Sequence, residues 1–409
     1  MHAQKEYSIE WGGRTLTIGV GQLAQQAGGS CTVRYGDTVV LCTATMGDVR
    51  EGVDFLPLSV DFEERMYAAG RIKGSRFMKR EGRPTDEAIL SGRLIDRAIR
   101  PLFPDAFRNE VAVVATVFSH DQENDADVPG LIGASCALML SHIPWNGPIA
   151  AVRVGQKNGQ LILMPTYAEV NGDGLDLVVA GTGEKTIMVE AGANIVSEDK
   201  MLEAMKLAHA NLESVITLIN TVVTENGKRT LDPNARASEE EATKRTEIEE
   251  IHAKARAFLE TKTGVLFAEP LKTKADRKAA VVRLKSELGG HLTELGIGKD
   301  SRKKAEDVVD AFIESEITRQ ILEDGKRADG RKLDEIRELD CIVGIMPRTH
   351  GSGLFQRGST QILSSVTLGS PGMEQTLDTM EFQAKKRFFH HYNFPSYSVG
   401  ETRGNRGPG

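Results

Sequence analysis

The densest run of side chains with evident chemistry lies between Arg65 and Arg108. It holds Arg71, Lys73, Arg76, Lys79, Arg80, Arg83, Arg93, Arg97 and Arg100 against few acids, in a chain whose formal net charge is −7. An acidic protein exerts no global pull on nucleic acid, but a local basic cleft still focuses field lines. Gly70, Gly74 and Gly82 mark the first part of this stretch as a loop, and Phe77 opens its run Phe77-Met78-Lys79-Arg80. A nucleic-acid single strand presents one phosphate per nucleotide and one π-face per base, so cations that neutralise phosphate beside a ring that stacks suit that target. The rival reading is a solvated loop whose charges serve only solubility. Arg93, Arg97 and Arg100 recur at i, i+4 and i+7 on a helix expected over 86–99, which puts all three on one face. Contact with nucleic acid is open for that face, and so is a structural role in which Arg97 pairs with Glu87 or the surroundings of Asp96.

A second group of candidates lies in Pro347-Arg348-Thr349-His350-Gly351-Ser352 and Arg357-Gly358-Ser359-Thr360. Arg348, His350, Ser352 and Thr360 are candidates for phosphate or RNA contacts, since cations and hydroxyls near glycine turns hold phosphate oxygens. The competing reading makes Gly351 and Gly358 turn glycines and Thr360 a packed strand residue. His390, His391 and Tyr392 invite a metal, but adjacent residues on a strand face opposite ways and no carboxylate lies at ligand spacing. Cys31, Cys42, Cys136 and Cys341 are far apart without any C-x-x-C, as expected of small buried thiols in a reducing compartment.

The elements that must carry these residues follow from length and pattern. A chain of 409 residues with 40% hydrophobic, 27% charged and 5% aromatic residues is globular and long enough for two or three domains. There is no apolar run of about 18 residues and no apolar leader, so neither a membrane span nor export is expected, and the cytoplasm is the simplest location. Residues 15–46 alternate as strands, with a hairpin through Gly36-Asp37. Pro101 and Pro104 stop the helix over 86–99. Residues 111–118 read as a buried strand and 131–140 as a buried helix. Strands are expected near 150–154, 161–164, 175–180 and 185–190, and one amphipathic helix over 200–219. From Ala235 to Glu323 strand signals vanish. This divides the chain into 1–226, an all-helical linker domain over 227–326, and a β-type region over 327–409.

That last region repeats the first. Without a gap, Gly29-Ser30 aligns with Gly351-Ser352, Gly36 with Gly358, Thr38 with Thr360, Leu41 with Leu363, Thr45 with Thr367 and Gly47 with Gly369. The apolar positions also match, as in Val33 with Phe355 and Val40 with Ile362. Shared turn glycines in one register indicate two copies of one domain, the second incomplete.

The strings Ala68-Ala69-Gly70-Arg71-Ile72-Lys73-Gly74-Ser75, Glu81-Gly82-Arg83-Pro84, Arg93-Leu94-Ile95-Asp96-Arg97 and Arg100-Pro101-Leu102-Phe103-Pro104 lie in the first copy. Pro347 to Ser352, His391-Tyr392-Asn393-Phe394-Pro395 and Tyr397-Ser398-Val399-Gly400-Glu401 lie in the second. In this order they resemble the bacterial polynucleotide phosphorylase family (polyribonucleotide nucleotidyltransferases), over essentially all 409 residues, from the amino terminus to a point inside the second ribonuclease-PH-like domain. The resemblance implies an α/β (α+β) fold of two ribonuclease-PH-like domains joined by an all-helical linker. It implies a processive, phosphate-dependent 3′-to-5′ exoribonuclease on single-stranded RNA, acting in mRNA degradation. Such an enzyme releases nucleoside diphosphates and can run backwards as a polymerase. It further implies a homotrimeric ring, Mg²⁺ or Mn²⁺ as cofactor, and RNA-degradation complex proteins as candidate partners. Phe77, Met78, Lys79 and Arg80 correspond to the constriction of the family's RNA channel, with Arg93, Arg97 and Arg100 facing the ring interior and Arg83 a further candidate for RNA binding. Met78 and Lys79 depart from the commoner Phe and Arg there, so weaker stacking and a point-charge grip on phosphate are expected.

By the same resemblance the catalytic and metal-binding acids belong beyond Gly409, and no metal ligand is expected within this chain. Their counterpart in the first copy is expected in a strand over 163–173, where Pro165 and Asn171 stand in the two aspartate places. Proline cannot ligate through its side chain and a neutral amide is a poor Mg²⁺ anchor. The first domain therefore reads as catalytically silent, with Glu169 and Asp173 left open as substitutes. The turn-like end Arg406-Gly407-Pro408-Gly409, mid-domain, suggests truncation of a longer chain, and the fragment alone is expected to be inactive. The alternative is a non-catalytic RNA-binding ring or scaffold subunit.

Overall fold

A computed structural model describes residues 4–49, 52–53, 55–72, 82–228, 239–262, 264 and 270–402. Two compact units make up the chain, one of Met1–Ala235 with Glu374–Gly409 and the other of Arg236–Met373.

The first unit is built on two sheets. Strands β1 (Lys5–Trp11), β2 (Arg14–Val20), β3 (Gly29–Tyr35), β4 (Thr38–Val49), β5 (Leu58–Glu63) and β6 (Asn109–Ser119) form one sheet in the order β1-β2-β3-β4-β6-β5, with only β5 and β6 parallel. Alternate residues of β3 and β4, such as Cys31, Val33, Val40 and Cys42, face the core, as the period of two requires. Helix α1 (Asp86–Ile99) starts where Thr85 Oγ1 accepts from the Ala88 N–H at 3.0 Å, with Asp86 and Glu87 in its first turn. Helix α2 (Asp127–Leu140) is buried on nearly every face and packs on β3 and β4. Gly133 lets it approach: a Cβ there would sit 2.4 Å from the Cys42 sulfur.

The second sheet holds β7 (Ala150–Lys157), β8 (Gln160–Leu163), β9 (Leu175–Gly181) and β10 (Thr186–Ala193) in the order β10-β9-β7-β8. Between β8 and β9 the expected strand over 163–173 does not form. Residues 167–173 are instead helix α3 (Tyr167–Asp173), opened by a capping box in which Thr166 and Glu169 exchange hydrogen bonds. The single helix expected over 200–219 is two, α4 (Glu198–Ala210) and α5 (Leu212–Asn226). They break at Asn211, whose carbonyl accepts from the Trp11 indole at 3.2 Å and whose side-chain amide donates to the Leu207 carbonyl at 2.8 Å. Both helices cover the second sheet through β7 or β9, and α2 also contacts β7 and α5.

The second unit begins with helices α6 (Glu239–Glu260), α7 (Lys274–Glu294), α8 (Lys299–Ala305) and α9 (Asp307–Glu323). Their own small core contains Leu259, Leu284, Leu288, Leu292, Ala305, Val308 and Val309. Strands β11 (Leu339–Val343), β12 (Gly351–Arg357) and β13 (Thr360–Val366) follow as a three-stranded sheet. Here the repeat becomes geometry. β12 pairs β13 from Arg357↔Thr360 to Gly351↔Val366, as β3 pairs β4 from Tyr35↔Thr38 to Gly29↔Ala44. Gly36 and Gly358 occupy equivalent turns in the left-handed region, at φ 63° and 58°. Where Val33, Val40 and Ala44 are sealed under α2, their counterparts Phe355, Ile362 and Val366 are 41%, 51% and 52% exposed.

Strands β14 (Gln375–Asp378) and β15 (Gln383–Lys386) form a separate hairpin that belongs to the first unit. The repeat also extends past the hairpins. A 3-10 turn over Met66–Ala69 is closed by left-handed Gly70, and one over Ser396–Val399 by left-handed Gly400, with the same pair of backbone hydrogen bonds.

Candidate nucleic-acid interface

The loop residues Phe77, Met78, Lys79 and Arg80 lie outside the described residues. The wall that follows is described. Arg93 and Arg97 on α1 line a cleft of about 390 Å³ with Asp61, Phe62, Pro84, Ile89 and Asp96. The three helical arginines are exposed but differ in their engagement. Arg97 donates to Glu190 at 2.5 Å and to the Val189 carbonyl at 3.2 Å. Arg100 grips Asp96 through two hydrogen bonds and also donates to the Leu56 and Leu58 carbonyls. Arg93 and Arg83, among the described residues, make no hydrogen bond or ion pair. Their guanidinium donors are therefore the ones directly available to an incoming anion.

In the second unit, His350 Nδ1 accepts from the Leu368 N–H at 2.9 Å and Ser352 Oγ accepts from the Met346 N–H at 3.0 Å. Both tie the loop before β12 to its surroundings. Arg348 is exposed on that loop, and Thr360 pairs with Arg357 at the start of β13. The backbone thus brings Arg348, His350 and Ser352 onto one loop and strand start, with Thr360 at the opposite end of the hairpin.

A cluster that sequence reasoning did not assemble lies in the first unit. Arg153 on β7 is only 14% exposed and pairs with three aspartates. It is bidentate to Asp176 at 2.7 Å, contacts Asp127 at 3.5 Å, and closes tightly on Asp125. Burial, with Asp125 beside it, pushes Asp127 up to about 7. Burial opposes ionisation of Asp125 too, but Arg153 overcomes it and holds that carboxyl below its usual range. Nearby, His120 Nε2 lies 3.3 Å from the Tyr167 hydroxyl, and burial lowers the pKa of this imidazole. Gln122 joins the cluster from an unusual backbone position for a non-glycine residue, at φ 64°. Only the clustering of Asp121, Asp125 and Asp127 after β6 signals any of this in sequence, because the partners come from β7, β9, α3 and residue 381.

Among the described residues no group of three or more His, Cys, Asp or Glu is placed to hold a metal. Four acids of the first copy do not fit a divalent ion: Asp125, Asp127 and Asp176 all bind Arg153, and Glu169 is held by its capping box and by Lys157 at 3.1 Å, while the Asp173 side chain lies outside the described residues.

A sheet hairpin that occurs twice, each time with its glycine turn, defines a duplicated α/β class. The chain matches the 3′ exoribonuclease family (RNase PH), domain 1, over residues 12–144 and again over 335–409, and domain 2 of that family over 147–211. The chain belongs to this family and carries two ribonuclease-PH-like domains with a helical region between them. In particular, it is 46% identical over 409 residues to the polyribonucleotide nucleotidyltransferase of Ruminiclostridium cellulolyticum, covering 99% of this chain and 56% of that protein. It is 47% identical over 407 residues to that of Heliobacterium modesticaldum, covering 98% and 55%. The chain thus spans little more than half the length of the curated relatives it matches. Among solved structures, rice Rrp46 aligns at 14% identity with a TM-score of 0.42, covering 54% of this chain and 95% of that one. Among the described residues no helix is long and apolar enough to cross a membrane.

Proposed function

We propose that this chain is part of a phosphate-dependent, processive 3′-to-5′ exoribonuclease acting on single-stranded RNA in mRNA degradation. The observation that carries the reading is its similarity, over nearly its whole length, to proteins named polyribonucleotide nucleotidyltransferase. An oxygen of inorganic phosphate attacks the phosphorus of the terminal phosphodiester, and the 3′ oxygen of the preceding nucleotide leaves. A nucleoside diphosphate is released, and the reverse reaction extends the RNA.

On this reading 1–226 is a catalytically silent domain that grips RNA, 227–326 a helical linker, and 327–409 the start of the catalytic domain. Phe77 stacks on a base, with Met78 contributing a weaker contact than a second Phe would, while Lys79, Arg80, Arg83 and Arg93 hold phosphates. Arg97 and Arg100 join them by exchanging Glu190 and Asp96 for phosphate oxygens. Arg348, His350, Ser352 and Thr360 contribute phosphate or RNA contacts in the second copy. The Mg²⁺ or Mn²⁺ ligands lie in the part of the relatives' length that this chain does not span. The working form is a cytoplasmic homotrimeric ring, open to RNA-degradation complex proteins.

The test is phosphorolysis of poly(A) by the full-length gene product with phosphate and Mg²⁺. Nucleoside diphosphate appearing only when phosphate is supplied supports the reading, and its absence refutes it. The engagement of Asp125, Asp127 and Asp176 with Arg153 favours one alternative, a non-catalytic RNA-binding ring or scaffold subunit. RNA binding by an assembled but inactive full-length protein would decide for it.

A further inference from the structure

Residues 378–382 sit on a hub of polar side chains. Arg71 Nη1 donates to the Thr379 carbonyl and Gln122 Nε2 to the Met380 carbonyl, each at 3.1 Å. Gln122 Oε1 accepts from Arg71 Nη2 at 3.0 Å, and Gln122 Nε2 also donates to His120 Nδ1 at 2.8 Å. This amide therefore uses both hydrogens and its oxygen in one junction. Because His120 Nδ1 also accepts from the Gln122 backbone N–H, the neutral ring carries its proton on Nε2 and donates it to the Tyr167 hydroxyl. Tyr167 in turn is hydrogen-bonded to the Glu381 carboxyl. Thr379 and Met380 are buried in the junction, Met380 completely.

The charges that act most strongly on the Glu381 carboxyl among the described residues are negative. Asp125 and Asp127 face it from the loop before α2 and from the first turn of α2, and Glu64 from the end of β5, while Tyr167 faces it from α3. Arg153 is engaged by three aspartates, Arg71 by Thr379 and Gln122, and His120 is neutral.

We propose that residues 378–382 form a proton-operated latch, seated on Arg71, Gln122 and Tyr167 while Glu381 carries a proton and released when Glu381 ionises. Burial, and after it the charge of Asp125, pushes the seated carboxyl up to about 8, whereas a free glutamate titrates near 4.3. The sign follows. Below the free value both states are protonated and seating is strongest. Between the two values seating takes up one proton, so its equilibrium constant falls about tenfold per pH unit. Above the seated value the loss levels off.

The experiment is hydrogen exchange of the 409-residue chain between pH 6 and 8.5, corrected for the intrinsic exchange rate. The protection of residues 374–388 is expected to fall about thirtyfold from pH 6 to 7.5, while segments of β2 and β3 stay constant. Glu381→Gln should abolish the slope and raise protection at pH 7.5. Tyr167→Phe keeps the carboxyl among Asp125 and Asp127, so it should keep the slope. A flat wild-type profile, the same slope in Glu381→Gln, or a slope shared with β2 and β3 would overturn the latch. Should Glu381→Gln fail to fold, the wild type and Tyr167→Phe still decide it.

Discussion

Replacing Arg153 with methionine should destabilise the first unit by about 3–5 kcal/mol. The side chain is 14% exposed, and Asp125, Asp127 and Asp176 beside it are 19%, 9% and 30% exposed. Methionine keeps most of the volume of the stem but leaves three carboxylates without their counter-charge. Breaking a buried pair by removing one partner costs about 3–5 kcal/mol, because the survivor is charged and poorly solvated. The two tryptophans, Trp11 and Trp145, lie in the core of this unit at 5% and 8% exposure, so their fluorescence reports its unfolding without the helical unit. With a urea slope near 3 kcal/mol/M, the expected loss lowers the midpoint by about 1–1.7 M. The pH dependence gives a second readout. Without Arg153 the aspartates must take up protons to remain buried, which raises their folded pKa values above the unfolded value of about 3.9. An acid whose folded pKa is raised loses stability as pH climbs from the unfolded to the folded value. The deficit of the variant should therefore shrink between pH 8 and pH 5. A loss under about 1 kcal/mol, or a deficit that grows on acidification, would refute the claim that this ion cluster is held by Arg153.

Four further outcomes are expected. In the full-length protein, Lys79 and Arg80 replaced together by alanine should weaken binding of long single-stranded RNA and flatten its salt dependence by roughly 0.7 in log–log slope per lost contact; unchanged affinity and slope would make the loop an ordinary solvated surface. Phe77→Ala should instead cost about 1–3 kcal/mol of binding with little change in slope, read from the same titrations. Arg93→Ala should weaken RNA binding at unchanged urea midpoint, since Arg93 has no partner among the described residues. Gly133→Ala should lower the stability of the first unit by about 1–3 kcal/mol, because its Cβ would lie 2.4 Å from the Cys42 sulfur.

The parts of the fold legible in sequence share one property: their signals are local. The spacing of Arg93, Arg97 and Arg100 marks one face of α1, and Pro101 ends it, because helical periodicity and a missing N–H act within a turn or two. Gly36 and Gly358 announce their hairpins because the turn needs a left-handed residue. Helix α3 was equally legible through Thr166 and Glu169, yet the apolar run before it argues for strand; the capping box decides the competition. The break at Asn211 has no such local signal. It depends on the Trp11 indole arriving from β1.

The amino-acid sequence by itself therefore determined the duplication, the cationic character of the stretch that contains α1, and the family to which the chain belongs. Each rests on residue type and spacing along the backbone. Only the tertiary structure decided which cations are free. Arg93, Arg97 and Arg100 are equivalent by helical periodicity, but Glu190 on β10 engages Arg97 and the carbonyls at and before β5 engage Arg100. The same holds for Asp125, Asp127, Arg153, Asp176 and Glu381. Their protonation depends on burial and on charges brought together from distant parts of the chain, and Coulomb interactions act through space in a medium whose polarity the fold itself creates.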